Sequence, residues 1–156
     1  MGVADFRFFH RLRVRWAEVD RQDVVFNANY LLYFDVGVTE YWRDLVVTQQ
    51  GDLAANKAQM AMWMHNVYVV KSTVEYHGSA LVDDELDIGV RLAKIGRSSM
   101  TWKIEIHRGA GDAAQHLISG ELVYVYRDPE LKKSAPIPEP LKGLMVAFEK
   151  VKPDQR

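Results

Sequence analysis

Polar and apolar residues alternate strictly from Arg11 to Trp16. Leu12, Val14 and Trp16 fall on one side, and Arg11, Arg13 and Arg15 on the other. A period of two predicts a half-buried strand. The polar run Glu18 to Gln22 then predicts a loop. From Asn29 the period lengthens. Tyr30, Tyr33, Phe34, Gly37, Val38, Tyr41 and Leu45 recur on one helical stripe, with Asn27 or Asn29 available as N-cap. Gly37 costs about 1 kcal/mol relative to alanine in an exposed helix interior. On the apolar face it predicts that another backbone approaches closely. The wide aromatic stripe predicts a helix lying inside a curved sheet.

Residues 46–65 carry no clear period. Gly51 and Asp52 signal a helix end or turn, and Met60 to Met64 suits helix or strand. Beyond them strands dominate. Val67 to Tyr76 is rich in β-formers. Leu86, Ile88, Val90 and Leu92 alternate with Asp87, Gly89, Arg91 and Ala93, and Met100, Trp102, Ile104 and Ile106 alternate in the same way. Leu117 to Tyr126 predicts a further strand. The connections at Gly96–Arg97 and Gly109–Asp112 are short enough for antiparallel hairpins. Pro129, Pro136, Pro138 and Pro140 mark an irregular segment. Leu141, Leu144, Met145 and Phe148 then predict a short terminal helix. The sum is an α+β domain spanning residues 1–156, an antiparallel sheet with one helix on its concave face. One edge strand and much apolar surface stay open, so self-association is expected.

Composition narrows the chemistry. The chain has 156 residues and 20 Lys plus Arg against 21 Asp plus Glu. No global field draws it to nucleic acid or an anionic membrane. The absence of cysteine rules out disulfides, a thiol nucleophile and thiolate metal sites. No apolar run approaches the ~20 residues of a membrane helix, and the start lacks the apolar core of a signal peptide. A soluble cytoplasmic protein is the expectation. The histidines His65, His77, His107 and His116 show no metal-ligand spacing and read as surface or sheet residues.

The chemistry-bearing candidate is Asp20. It follows a strand, sits in a polar loop and precedes a helix N-terminus, where free N–H groups and the dipole favour negative charge. The same N–H groups suit a carbonyl oxygen that becomes an oxyanion. An Asp in that place is more commonly a cap or a solvated loop residue. Glu18 beside it reads as solvated.

The stretch VRWAEVDRQDVVFNANYLLYFDVGVTEYWRDL resembles the opening of the 4-hydroxybenzoyl-CoA thioesterase-like group of hotdog proteins. That opening is an Asp-centred loop, a Gly-Val-Val or Gly-His-Val step, an Asn/His-Ala-x-Tyr helix start and an aromatic helix. Here these are Asp20, Asp23-Val24-Val25 and Asn27-Ala28-Asn29-Tyr30. VEYHGSALVDDELDIGVRLAKIGRSSMTWKIEI resembles the family's strand entry and Gly-Arg-Ser-Ser hairpin, and YVYRDPELKKSAPIPEPL its last strand and Pro-rich exit. The resemblance covers about residues 10–142.

It implies a hotdog fold, an antiparallel sheet wrapped round the helix from Asn29, in dimers or tetramers with active sites at the dimer interface. The implied activity is hydrolysis of a small, medium or aryl acyl-CoA thioester without metal or organic cofactor. Asp20 is then the catalytic carboxylate, either attacking directly or activating water, and the Asn27 backbone N–H polarises the carbonyl. Lys94, Arg97, Ser98 and Ser99 are assigned to the coenzyme A phosphates, and Tyr30, among the helix aromatics, to the acyl pocket. The chain departs from the family pattern at Asp23 for Gly, Asn27 for His, Val38 for Arg and Ser79 for Pro. These departures keep open a non-catalytic protein that binds acyl-CoA or an acyl carrier. A hydroxyacyl-thioester dehydratase needs a His base, and none lies between Asp20 and Tyr30.

Overall fold

Strict alternation in the second half of the chain becomes four antiparallel strands in the computed structural model, which describes every residue except Met1 and Ala110. They are β2 (Val67–Tyr76), β3 (Glu85–Ile95), β4 (Ser99–Arg108) and β5 (Gln115–Tyr126). The first strand, β1 (Phe8–Arg13), joins them in the order β1-β3-β4-β5-β2, every pair antiparallel. The predicted connection at 109–112 falls partly on Ala110, outside the described residues. Leu86, Ile88, Val90 and Leu92, with Trp102, Ile104 and Ile106, turn their side chains into one core.

The long helix α1 (Asn29–Gln50) lies on that core and packs against β1, β3 and β2. Its predicted stripe is buried in full. This is the hotdog arrangement that the resemblance implies. Gly37 marks a close approach, but by side chains and not by a backbone: a Cβ there would stand 2.7 Å from Ile88 Cγ2 and 3.0 Å from Val90 Cγ2. Gly120 on β5 does the same for the Phe34 ring, which would meet an added Cβ at 2.3 Å.

Gly51, at φ +81°, ends α1. The unassigned stretch after it forms a second helix, α2 (Leu53–His65), capped by the Asp52 side chain accepting from Ala54 N at 2.8 Å. The terminal helix α3 (Glu139–Phe148) buries Leu141, Met145 and Phe148. The sheet has two edges, β1 and β2, and β2 exposes nearly all its residues. No helix among the described residues is long and apolar enough to cross a membrane.

One predicted strand is displaced. β1 begins at Phe8 and stops at Arg13, and Trp16–Glu18 form a 3-10 turn. Val14 is buried as expected, but Trp16 points out and is 83% exposed.

Candidate active site

The segment between β1 and α1 folds as a tight hairpin built around Asp20. The Asp20 N–H donates to Val24 O at 2.9 Å and Asp23 N–H to Asp20 O at 3.0 Å. The Asp20 side chain joins in, its Oδ1 accepting from Gln22 N at 2.7 Å. Asp23 closes the turn at φ +60°, in the left-handed region. This explains why glycine suits that position, and Asp is among the few residues that tolerate it. Asp20 is half-buried, and its Oδ2 makes no hydrogen bond to the described residues. The carboxylate lines an open cleft of 490 Å³ together with Trp16, Val19, Arg21 and Asp23.

Glu18 is not solvated: it is 6% exposed. Its carboxylate accepts from Arg15 N at 2.7 Å and Arg15 Nη2 at 2.8 Å. Burial works against its charge, but the hydrogen bonds from the Arg15 side chain and backbone prevail and hold the carboxyl below its ordinary range. The Glu18 carbonyl accepts from Phe26 N at 2.9 Å and Asn29 Nδ2 at 2.8 Å. Glu18 thus ties the Asp20 loop to the start of α1.

That helix start has no side-chain cap. The N-cap residue is Ala28 in place of the expected Asn27 or Asn29; Asn29 is already the first helical residue, and its Nδ2 donates to Glu18 O. The next N–H groups turn back on the entering chain, Asn29 to Phe26 O at 2.8 Å and Tyr30 to Asn27 O at 3.3 Å. The N–H groups of Asn27 and Ala28 have no acceptor among the described residues. They sit at the positive end of α1 and open to an incoming oxygen. Asn27 itself is exposed.

Tyr30 is 2% exposed, and its hydroxyl accepts from Ala80 N at 3.0 Å. With Val25 N donating to Ala80 O at 2.8 Å, it fastens the segment after β2 beneath the Asp20 loop. In the isolated chain its contribution is this fastening.

The other assigned residues lie elsewhere. Gly96 to Ser99 form the β3–β4 hairpin, held by Ile137 N on Arg97 O at 2.8 Å and Tyr126 N on Ser98 O at 2.7 Å. Lys94 and Arg97 are exposed, and no ion pair among the described residues engages them. The Asp20 loop is joined to the opposite end of β3, where Val14 N bonds Asp84 O at 2.9 Å. Within one chain the fold brings Asp20, Asn27 and Tyr30 into one region and leaves Lys94, Arg97, Ser98 and Ser99 at the far end.

Three features are not marked by the sequence pattern. Trp16 stands beside Asp20, where a strand period had turned it inward, and Phe26, also exposed, lies in the segment leading to α1. On the sheet, Glu105, His107 and His116 come within 4.8 Å of one another although they lack metal-ligand spacing in sequence.

Known proteins share this architecture. Residues 22–114 match the family model described as the thioesterase superfamily. The acyl-CoA thioester hydrolase YbgC of Escherichia coli O157:H7 is 27% identical over 128 residues, covering 82% of this chain and 87% of that protein. A thioesterase from Thermus thermophilus, solved with coenzyme A and zinc, superposes with a TM-score of 0.75 at 23% identity over 94% of this chain and 97% of its own. The 4-hydroxybenzoyl-CoA thioesterase from Pseudomonas sp. strain CBS-3 gives 0.71 at 17% identity over 88% and 97%.

Proposed function

Because this chain belongs to the thioesterase superfamily, we propose that it hydrolyses the thioester of a small, medium or aryl acyl-coenzyme A, with Asp20 as the reacting carboxylate. The observation that carries the reading is the pairing of two features in the one segment between β1 and α1. Among the described residues, Asp20 has one oxygen bonded by Gln22 N–H and the other unengaged, and the N–H groups of Asn27 and Ala28 are unpaired at the head of α1.

The chemistry follows from those groups. The free oxygen of Asp20 takes a proton from water, and the hydroxide adds to the thioester carbon. Negative charge gathers on the carbonyl oxygen, where the Asn27 N–H and the helix end stabilise it. The carbon–sulfur bond then breaks, and the proton on Asp20 passes to the departing thiolate. Direct attack by Asp20 gives an anhydride that water opens, with the same products. Trp16 and Phe26 supply apolar surface for the acyl group. Lys94, Arg97, Ser98 and Ser99 meet the phosphates of coenzyme A in a site completed by a second copy of the chain, in a dimer or tetramer.

Asp20→Asn tests this. The amide oxygen still accepts from Gln22 N–H, so the turn persists while the base is lost. The expected outcome is a fall in kcat of at least about 100-fold on a panel of acyl-CoA chain lengths, with KM little changed. Near wild-type turnover would sink the assignment. Glu18→Gln is a poor control on activity alone, because Glu18 holds the loop to the helix, and its stability must be measured beside its rate.

A second reading has its own support: the Oδ1 bond to Gln22 N–H gives Asp20 a turn-forming role that needs no catalysis. In that case the chain binds acyl-CoA or an acyl carrier without turnover. Coenzyme A binding by calorimetry, with no thiol released from any thioester, would establish it.

A further inference from the structure

On the sheet face opposite α1, β4 and β5 place a second polar cluster. Glu105 alternates with the core residues Ile104 and Ile106 and so points away from the helix. His107 pairs with His116 across the ladder, and Glu105 with Ser119, past a bulge between Ile106 and His107. The His107 and His116 rings stack with centroids 4.8 Å apart, and His77 lies 4.8 Å beyond His116. Glu75, His77, Glu105, His116, Ser119 and Glu121 line a cleft of 350 Å³.

We propose that Glu105, His107 and His116 form a binding site for a divalent transition-metal ion of the zinc class.

Three features point to a ligand. First, His107 is 6% exposed, yet neither ring nitrogen has a hydrogen-bond partner among the described residues. Nε2, the nitrogen nearest Glu105, stands 3.7 Å from its Oε2, too far to bond. A polar pair this enclosed normally closes to a bond, and an ion seated between Nε2 and the carboxylate fills the gap. Second, two donors about 2.1 Å from a tetrahedral ion stand about 3.4 Å apart. The 3.7 Å pair nearly meets that spacing, and all three donors lie within 4.8 Å. Side-chain rotation of Glu105, which has no hydrogen bond among the described residues, closes the rest. Third, the His116 tautomer suits a ligand. Its Nε2 lies 2.9 Å from Ile118 O. A carbonyl only accepts, so Nε2 carries the proton and Nδ1 keeps its lone pair. A backbone carbonyl fixing the far nitrogen of an imidazole is the usual support of a metal-bound histidine. Ser119 Oγ, 3.1 Å from His116 Nε2 and 3.0 Å from His77 Nε2, buttresses both rings.

Two imidazoles and one carboxylate are a donor set for zinc, cobalt or nickel, and a poor one for calcium or magnesium. Three protein ligands leave an open position for water or a small anion.

The test uses tag-free, chelator-dialysed full-length protein. Cobalt(II) is titrated and followed by its visible absorption, and zinc(II) is then added to displace it. The expected result is one ion per chain at micromolar or tighter affinity. Glu105→Gln and His116→Ala should each weaken binding by at least about 100-fold, more than the 10–100-fold lost when only a supporting group is removed. His10→Ala and His65→Ala should leave it unchanged. Circular dichroism checks that each variant is folded. Should His107→Gln unfold, the Glu105 and His116 variants carry the test alone. No cobalt band and no zinc uptake at millimolar metal overturns the proposal. So does binding that survives both Glu105→Gln and His116→Ala, or that disappears in His65→Ala.

Discussion

Gly120→Ala adds one methyl group at the tightest point between α1 and the sheet. The new Cβ would lie 2.3 Å from two carbons of the Phe34 ring, where carbon–carbon contact is ordinarily about 3.5–4.0 Å. The ring has no route out, since Phe34 is fully buried against β5. Either the ring or the helix beneath it must retreat by about 1.2 Å. Overpacking of this kind costs about 1–3 kcal/mol, and the overlap places this site at the upper end. Alanine recovers about 0.5–1 kcal/mol of the entropy that glycine loses in a strand. The net expectation is a loss of about 2 kcal/mol, or about 4–8 °C in Tm for a chain of this size. Urea unfolding reports it through the buried Trp42, Trp63 and Trp102, at fixed protein concentration so that association does not intrude. Phe34→Leu shrinks the group in conflict. The double variant should therefore be at least about 1 kcal/mol more stable than the sum of the two singles predicts. Wild-type stability for Gly120→Ala, or strict additivity with Phe34→Leu, refutes the packing argument.

Arg97→Ala should raise KM for acyl-CoA about tenfold with kcat nearly kept, because phosphate contacts bind ground and transition states alike. An equal KM change with a minimal thioester lacking the nucleotide would assign Arg97 to the hairpin alone. At Asp23, φ +60° makes Asp23→Gly neutral within about 1 kcal/mol, while Asp23→Val should cost more than about 1 kcal/mol. Calorimetric melting of both checks this, and equal stability would contradict the left-handed turn. Glu149 is buried, with Oε1 accepting from Tyr41 Oη at 2.7 Å and Leu92 N at 2.6 Å. Burial raises its carboxyl above the ordinary range, only partly opposed by those bonds. The folded state therefore holds this proton more tightly than the unfolded state. Its contribution is full below the unfolded value near ~4.3 and is lost as pH rises through the folded one. Glu149→Gln removes that slope, so wild-type stability should fall relative to the variant as pH climbs from ~4 towards 7. Parallel urea curves across that range would rule it out.

The elements legible in the sequence were those whose period is enforced along their whole length. β3 and β4 each present one face to the core, and the α1 stripe is buried from Tyr30 to Val46. α2 was illegible because it buries only Met60 and Trp63, too few to set a phase. Trp16 was misplaced because alternation carries no mark of where pairing stops. The chain leaves the ladder when Val14 bonds Asp84, a contact 70 residues away in sequence. Glu18 turns inward for a local reason, since the 3-10 turn that replaces the strand end brings its carboxylate onto the Arg15 N–H and guanidinium. Asp20 stands out by its place between strand and helix, and the motif resemblance adds the role that it implies. The histidine cluster depends on hairpin register and a bulge, which no spacing within one strand reveals.

β3 has eleven residues, which is about 33 Å of extended chain. The carboxylate loop hangs from one end and the basic hairpin from the other. If coenzyme A spans both, its two ends belong to different copies of the chain. Genetics in a test tube then becomes possible. Protein carrying Asp20→Asn and protein carrying Arg97→Ala, each impaired alone, would on subunit exchange form mixed pairs. Every such pair holds one site with both defects and one with neither. Activity would return on mixing two damaged preparations, at the rate at which their subunits trade partners.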